Sequence, residues 1–296
     1  MNIILRPCYN RPEFLHLSLE SEIKASEQYP FETKTLFVVE HGAPQKVLDI
    51  IKDYPFPSMC IMRDQRLGLS KNILEGFKTA FDQTDNHVIY LEDDVILHKD
   101  YFKFVDKTIK VINNSFSIIC TLGVVEKGDV SEIHKTNLYS PAGPVISKYF
   151  FNKYVRSHAN NEFYNNPAGY VLMINNKYKK HSIYKYDSAA HNQQAGLINR
   201  LGDAAIIEEK LYMYRPQVSR AQHIGYVGYN RPGGTIPGKT YEERVDNLRK
   251  IILSADEMYK RSGTPQYKDY RTLMPSLDKW DGTLHEGNFR GKRRKI

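Results

Sequence analysis

The first hundred residues alternate short apolar runs with helical patterns, and this alternation constrains the fold more than any other feature of the sequence. Runs with the length of buried strands lie at 3–5, 35–39, 59–62 and 88–91. Apolar residues between these runs recur at helical spacing, as at Leu15, Leu19 and Ile23. Repeated strand–helix order predicts an α/β domain with a doubly wound, mostly parallel sheet, whose ligands bind beyond the carboxyl ends of the strands.

The second half of the chain is less regular. Apolar runs at 117–122 and 170–174 predict two more strands, and a helix is expected from His191 to Leu201. Apolar positions between 245 and 252 predict a late helix, after which the sequence is polar. We therefore expect a small second sheet region and an irregular C-terminal part beside the main sheet.

Composition and cysteine usage exclude several classes of protein. With 41% hydrophobic and 26% charged residues over 296 positions, the chain can bury a sizeable core and is not a disordered protein. No window approaches the roughly 18 apolar residues of a membrane span, and the N-terminus lacks the pattern of a secretory signal. Cys8, Cys60 and Cys120 form no CxxC pair, which argues against a zinc ribbon and a disulfide framework. We therefore expect a cytoplasmic protein.

Three consecutive acids, Glu92, Asp93 and Asp94, directly follow the predicted strand at 88–91. Carboxylates this close repel one another and are costly to remove from water unless a cation compensates them. Hard divalent cations such as Mg²⁺ and Mn²⁺ bind carboxylate oxygens and often complete their coordination with phosphates. A solvated acidic turn is the alternative, but the apolar runs on both sides favour a metal site.

The acidic triplet resembles the DXD motif of GT-A glycosyltransferases, which bind a nucleotide-sugar diphosphate through a divalent metal. Other segments resemble one inverting branch, the N-acetylglucosaminyltransferase I family and its protein-O-mannose-linked relatives. These segments are 8–11, 167–172, and 215–220 (Arg-Pro-Gln-Val-Ser-Arg) followed by Gly225. The resemblance spans residues 3 to 230. It implies a GT-A (Rossmann-like) fold and a metal-dependent, inverting transfer of a sugar, with a UDP-sugar as the expected donor.

The same resemblance implies a domain organisation. Residues 1–230 would form the catalytic domain, with a nucleotide-binding half over about 1–98 and an acceptor half over about 99–230. We expect residues 231–296 to supply a loop, a C-terminal helix and a basic tail packed on the same domain.

The resemblance also implies roles for individual residues near the donor. Asp94 would contact Mn²⁺ or Mg²⁺, Asp93 would contact the ribose or the donor sugar, and Glu92 would orient the pair. Arg11 would bind the nucleotide or its phosphates, although Asn10 replaces an acid of the family there. Glu40 occupies the position of the acid that reads the uracil ring, and a solvated strand end is its alternative.

Four further residues complete the expected donor site. Arg66, Ser70 and Lys71 flank the start of a helix before the triplet, and a helix N-terminus with basic residues favours anions. His223 would be a third metal ligand of the kind that many GT-A enzymes use. A structural histidine is the alternative, since the branch resembled here usually lacks that ligand.

An inverting transferase needs a general base that takes the proton from the acceptor hydroxyl. The resemblance places Asp187 at this position, although an aspartate there could also serve only as the N-cap of the following helix. The spacing from Asp187 to Arg220 departs from the family, so Asp203, Glu208 and Glu209 are kept as substitutes.

The net charge of +8 is concentrated at the C-terminus, where five basic residues lie within the last seven. These are Arg290, Lys292, Arg293, Arg294 and Lys295. With Arg220, they are candidates for binding a polyanionic acceptor, and a hydroxymethylated base in DNA is our first hypothesis. Association with a membrane surface and a plain solvated tail are the alternatives. No known DNA-reading module appears in the sequence.

Other functions remain as alternatives. The acceptor could be a bacterial surface glycan or a lipid-linked saccharide. A sugar nucleotidyltransferase would want a glycine-rich loop after the first strand, and residues 6–10 contain no glycine. A non-catalytic nucleic-acid-binding protein would explain the basic tail but gives no reason for the acidic triplet.

Overall fold

The strand–helix alternation predicted for the first hundred residues is present in the structure, a computed structural model that describes residues 1–123, 131–181, 194–225, 235–262 and 284–287. Its strands are β1 (Asn2–Cys8), β2 (Thr33–Val39), β3 (Ser58–Met62), β4 (His87–Tyr90), β5 (Val95–Leu97), β6 (Ile118–Ile119), β7 (Glu132–Thr136), β8 (Val145–Ser147), β9 (Met213–Pro216), β10 (Ala221–His223) and β11 (His285–Gly287).

The helices lie between these strands in the same described ranges. They are α1 (Pro12–Gln28), α2 (Gln45–Lys52), α3 (Leu69–Asp82), α4 (Tyr101–Val111), α5 (Lys148–Phe150), α6 (Asn161–Asn165), α7 (Pro167–Tyr178), α8 (Gln194–Glu209) and α9 (Tyr241–Ser262). A π-helical turn (Phe151–Val155) and a 3₁₀ turn (Arg156–His158) connect α5 to α6.

The described strands form a nine-stranded sheet in the order β11-β7-β9-β6-β8-β4-β1-β2-β3. One half of this sheet, β4-β1-β2-β3, is parallel, and β8 adds to β4 in the antiparallel sense. β5 and β10 form a separate antiparallel pair. The predicted GT-A-like fold class, a mostly parallel doubly wound sheet with a small second sheet, is confirmed.

Helices cover both faces of the sheet, so the strands β1, β2 and β4 are buried on both sides. On one face, α3 packs against the side chains of β1, β2 and β4 that point to that side, such as Leu5, Val38 and Tyr90, and α8 and α7 extend this apolar cluster beyond α3. On the other face, α4 and α1 pack against residues such as Ile4 and Ile89. The ends of the parallel strands are therefore the open part of the sheet.

Two predicted strands of the second half differ in the structure. Residues 170–174 were expected to form a strand, but they lie within α7, whose N-cap Asn166 accepts a hydrogen bond from Gly169 N. Val171 and Ile174 are buried while the two residues between them are exposed, which is a helical pattern. Of the predicted strand 117–122, only Ile118 and Ile119 pair, as β6.

The predicted late helices are present but longer than expected. The helix expected to end at Leu201 continues as α8 to Glu209, while its expected beginning at His191 lies outside the described residues. α9 packs on α1, where Val245, Leu248 and Ile252 meet Phe14 and Leu17. The domain boundary near residue 230 stays a prediction.

Among the residues that the structure describes, no helix has both the length and the apolar character that a membrane span requires.

Candidate functional site

The candidate site lies where the parallel strands end. β1 pairs in register with β4, and Leu91 N donates to Leu5 O at 3.0 Å just before the acidic triplet. On its other side β1 pairs with β2, and Glu40 N donates to Cys8 O at 2.9 Å. This register places Arg11, Glu40 and the acidic triplet at one edge of the sheet, as the sequence pattern predicted.

The small sheet adds a histidine to the acids. β10 pairs antiparallel with β5, so that His223 lies opposite Val95, directly after the triplet. His223 Nε2 lies 3.2 Å from Asp94 Oδ2 and 3.9 Å from Glu92 Oε2. One ligand atom from each of these three residues falls within 4.8 Å of the others.

These three residues fit a divalent cation by their chemistry. Two carboxylates and an imidazole are ligands that Mn²⁺ accepts, and Mg²⁺ favours the carboxylates. Asp94 is buried, and within the described residues its Oδ1 accepts no hydrogen bond. A buried carboxylate oxygen without a donor is costly unless a cation compensates it. The predicted ligands Asp94 and His223 are therefore brought together, with Glu92 beside them.

Gly225 packs directly against Asp94 and His223 of this cluster. A Cβ on Gly225 would lie 2.5 Å from Asp94 Oδ2 and 2.7 Å from His223 Cε1, so only glycine fits without displacing the ligands. Its backbone N–H donates to His223 Nδ1 at 3.3 Å. Binding of a cation by Nε2 requires the other imidazole tautomer, with the proton on Nδ1. Gly225, which the sequence singled out only through a motif, thus shapes the site directly.

Arg11 provides the positive charge nearest to the acids. Its guanidinium holds both oxygens of Asp93, with Nε at 3.2 Å from Oδ2 and Nη2 on Oδ1, while Nη1 lies 2.7 Å from Asp94 Oδ2. Burial opposes the charged form, but the two aspartates outweigh it and raise the pKa of Arg11. The same guanidinium lies 5.2 Å from the ring centroid of Phe14. Arg11 is therefore held at the acid cluster from the first turn of α1.

Burial and mutual repulsion make the ionised forms of Glu92 and Asp93 unfavourable. Burial, followed by the charge of Asp94, raises the pKa of Glu92 to about 8, against the hydrogen bond that Tyr90 OH donates at 2.7 Å. Burial also raises the pKa of Asp93, although Arg11 opposes the shift. Perturbed acids at the mouth of a sheet are a mark of functional sites. A cation in their midst would favour their ionised forms.

Glu40 has a more constrained environment than the sequence suggested. It is buried, its Oε1 accepts from Leu67 N at 2.8 Å and His41 N at 3.2 Å, and its Oε2 accepts from Gly68 N at 2.8 Å. Gly68 has φ +79°, a conformation that favours glycine at this turn into α3. Glu40 thus fixes the loop that carries Arg66. Its contact with the uracil ring of a nucleotide stays a prediction.

The remaining predicted donor residues lie around the start of α3. Arg66 is exposed, with its guanidinium 5.4 Å from the Tyr9 ring centroid. Ser70 Oγ lies 3.2 Å from Gln194 Oε1 at the start of α8, and Lys71 Nζ lies 5.6 Å from the Tyr164 ring centroid. These side chains border the same end of the sheet as Arg11, but none of them contacts the acid cluster.

The predicted base, Asp187, lies outside the described residues, and its role stays a prediction. The substitutes are poorly placed. Asp203 is fully buried in an ion pair with Arg200 at 3.1 Å, so it cannot reach an acceptor. Glu208 and Glu209 lie at the far end of α8, about 20 Å along the helix from its start beside Ser70. The structure therefore removes all three substitutes from the site.

Arg220 was expected to contact a polyanionic acceptor; that contact stays a prediction, and in the structure the side chain is buried. Its side chain is 0% exposed and lies 3.7 Å from Asp100 Oδ2 behind the small sheet. Burial lowers the pKa of Arg220 to about 10, while Asp100 opposes the shift. Its backbone N–H donates to Thr121 O at 2.7 Å. This hydrogen bond joins the residue before β10 to the segment that follows β6 of the main sheet. The five tail residues, Arg290 and 292–295, lie outside the described residues.

Sequence reasoning missed a buried network that positions α1. Arg6 donates to Glu22 Oε2 through Nε at 2.8 Å and to Ser18 Oγ at 2.9 Å. Tyr54 OH donates to Glu22 Oε1 at 2.6 Å, and Ser18 Oγ donates to the carbonyl of Val95. This network links β1 through α1 to β5, the strand after the triplet. An arginine inside an otherwise apolar strand was the available signal.

Comparison of folds found structures of TarS from S. aureus among the similar chains. Residues 1–349 of TarS have a TM-score of 0.43 and 15% identity, over 73% of this chain and 60% of that one. A longer TarS structure has a TM-score of 0.45 and 14% identity, over 73% of this chain and 36% of that one. TarS 1–349 in complex with UDP-GlcNAc has a TM-score of 0.41 and 14% identity, over 85% and 65%. The chain thus spans about a third to two thirds of the TarS structures.

Comparison of sequences gave a clear result at the level of the family. No curated protein matches the chain. Residues 3–182, however, match the family model described as glycosyl transferase family 2. The matched segment contains β1 to β4, the acidic triplet and α3, while β10 with His223 lies beyond it. Because the match covers more than half of its residues, the chain belongs to glycosyl transferase family 2.

Proposed function

We propose that this protein transfers a sugar, with inversion, from a UDP-sugar to a hydroxyl of a glycan, and that it depends on Mn²⁺ or Mg²⁺. The observation that carries the proposal is the cluster of Glu92, Asp94 and His223, with Arg11 beside it at the carboxyl end of β4. A cluster of this kind suits a diphosphate, whose charge needs a metal and a guanidinium for compensation.

The donor would be held by groups of two kinds. Asp94 and His223, with Glu92, would hold the cation, which supplies stabilisation of the negative charge on the departing diphosphate. Arg11 offers five N–H donors and already contacts the two aspartates. Part of its guanidinium can therefore donate hydrogen bonds to a phosphate. Arg66 and Lys71, near the start of α3, add positive charge on the same side.

The protein's part in the chemistry is positioning and proton transfer. The acceptor oxygen attacks the anomeric carbon on the face opposite the diphosphate, and its proton passes to a carboxylate. We assign that carboxylate to Asp187, because the substitutes are buried or remote from the donor site. Asp93, which Arg11 holds through its guanidinium, would contact the ribose or the donor sugar.

We propose a glycan, in preference to DNA, as the acceptor. Binding of DNA depends on several accessible basic side chains that follow the phosphate backbone. Arg220, the one predicted polyanion contact within the described residues, is buried against Asp100. A surface glycan or a lipid-linked saccharide needs no such cationic track. The resemblance to the N-acetylglucosaminyltransferase branch makes an N-acetylhexosamine the first sugar to test.

The test is a thermal-shift and hydrolysis panel on the full chain with UDP-GlcNAc, UDP-glucose and UDP-galactose, each with Mn²⁺ and with EDTA. A bound donor stabilises the fold by mass action, so one UDP-sugar should raise the Tm in the presence of Mn²⁺. Asp94→Asn should remove both the shift and metal-dependent hydrolysis of the donor. Asp82→Asn, an exposed acid at the far end of α3, is the matched control. A donor shift that survives Asp94→Asn and EDTA would overturn the metal assignment.

The base and the acceptor need a separate experiment. Asp187→Asn should leave the donor-induced Tm shift intact while transfer to an acceptor glycan stops. Normal turnover of this variant would place the base elsewhere. Transfer to hydroxymethylated DNA but to no glycan would overturn the proposed acceptor class.

A further inference from the structure

Helix α7 divides lengthwise into a buried and an exposed half. Tyr170, Val171, Ile174 and Tyr178 face the core beside α8. The opposite half carries Leu172 and Met173, which are 46% and 50% exposed. Adjacent large apolar side chains that remain half exposed in the middle of a helix are unusual and mark a contact surface. The core therefore does not account for this side of α7.

The exposed half becomes basic towards its C-terminal end. Lys177 follows Met173 by one helical turn, and Lys179 and Lys180 are exposed just beyond the last turn. The segment from 167 to 181 contains no aspartate or glutamate. We call Leu172, Met173, Lys177, Lys179 and Lys180 the α7 face. It combines apolar side chains with positive charge and no acid of its own.

Within the described residues, the acids of neighbouring α8 compensate this positive charge only in part. Glu208 of α8 lies 3.9 Å from Lys177 and accepts a hydrogen bond from Tyr178 OH. Glu209 is engaged by Lys153 and by Tyr149 OH, at 2.7 Å from the latter. Lys177 is nevertheless 70% exposed, so its ammonium is accessible.

We propose that the α7 face docks on the surface of a bilayer that contains anionic lipid. Leu172 and Met173 would enter the interfacial region, and the three lysines would lie among lipid phosphates. Charge complementarity selects this occupant, because an acid-free basic patch next to apolar side chains matches negative headgroups above hydrocarbon. The inference is independent of the donor site, since α7 contributes no residue to the metal cluster.

The expected strength of binding follows from simple contributions. Each lysine near an anionic surface raises the partition coefficient about fivefold, so three lysines contribute about 100-fold at low salt. Partial burial of the two apolar side chains contributes about tenfold more. Binding should therefore be reversible, stronger on anionic than on neutral vesicles, and weakened by salt.

The experiment is co-sedimentation of the full chain with phosphatidylcholine vesicles, with and without 30% phosphatidylglycerol. We expect binding to anionic vesicles and about 100-fold weaker partitioning for Lys177→Gln/Lys179→Gln/Lys180→Gln. Leu172→Ser/Met173→Ser should weaken binding about tenfold. The matched controls, Lys24→Gln/Lys52→Gln/Lys110→Gln and Met62→Ser/Val111→Ser, change exposed residues elsewhere and should bind as the original chain does.

A chain that ends at residue 289 separates the α7 face from the basic tail. Retained binding by this chain, with the same loss in the α7 variants, supports the proposal. Binding that disappears with the tail alone, equal binding to neutral vesicles, or an unchanged lysine variant would overturn it. Self-association without lipid that Leu172→Ser/Met173→Ser abolishes would assign the face to a second copy of the chain, and would also overturn it. Circular dichroism and the UDP-sugar Tm shift show that each variant is folded.

Discussion

Arg11 neutralises the acid cluster in the structure, and removing its charge should cost stability that a metal ion restores. Arg11→Met keeps most of the aliphatic side chain and its contact with Phe14 while deleting the guanidinium. Asp93 and Asp94 then lie close together without the guanidinium that binds both, next to Glu92. The like charges and their burial make this state unfavourable.

The size of the effect follows from burial. Breaking a fully buried ion pair by removing one partner costs about 3–5 kcal/mol. The Arg11 side chain is 32% exposed, so solvent screens part of this interaction and we expect about 2 kcal/mol. In a chain of this length that corresponds to a decrease in Tm of roughly 5 °C. Millimolar Mn²⁺ should recover most of it, because the cation supplies the missing charge.

The assay is urea unfolding followed by circular dichroism, in EDTA and in Mn²⁺. Arg156→Met is a matched control, since Arg156 is 33% exposed and pairs with the exposed Asp82. The free energy of unfolding of that variant should decrease by less than about 1 kcal/mol, and Mn²⁺ should not stabilise it more than the original chain. The reasoning fails if Arg11→Met lowers the free energy of unfolding no more than Arg156→Met does. It also fails if Mn²⁺ stabilises both variants and the original chain equally.

Three further outcomes follow from the geometry. Because the pKa of Glu92 is about 8 in the folded chain, above its usual value, stability in EDTA should fall as the pH rises from about 4.5 to 8, and Glu92→Gln should flatten this dependence in pH-resolved unfolding curves. Gly225→Ala should lower Mn²⁺ affinity at least tenfold in calorimetry with little change in Tm, because its Cβ would press on Asp94 and His223; unchanged affinity would contradict this packing. Arg220→Met should destabilise the chain by about 3 kcal/mol in urea, since Asp100 would remain buried without its arginine, and a change below 1 kcal/mol would argue against the pair.

The site could be predicted where the chain obeys local rules. Apolar runs followed by polar residues marked the ends of β1, β2 and β4, and parallel pairing brings those ends together. Asp94 and Arg11 could therefore be placed at one edge from sequence alone. His223 could be suggested only by resemblance, because its approach depends on the pairing of β5 with β10.

The errors have equally specific causes. The run at 170–174 was interpreted as a strand because a short apolar run looks alike in a buried strand and a helix. Asn166 followed by Pro167, an N-cap with proline at the first helical position, was the signal that favoured the helix. The burial of Arg220 beside Asp100 could not be predicted either, because the two residues lie far apart in sequence and no local pattern links them.

The antiparallel pairing of β5 with β10 makes the proposed metal site a late product of folding. Asp94 and His223 are about 130 residues apart in the sequence, so the ligand set is complete only after that long loop closes. A cation bound by both would act as a reversible cross-link, and a disulfide closing a loop of similar length is worth about 4–5 kcal/mol in the chain-entropy description. Capture of the metal would then report that β10 has paired with β5.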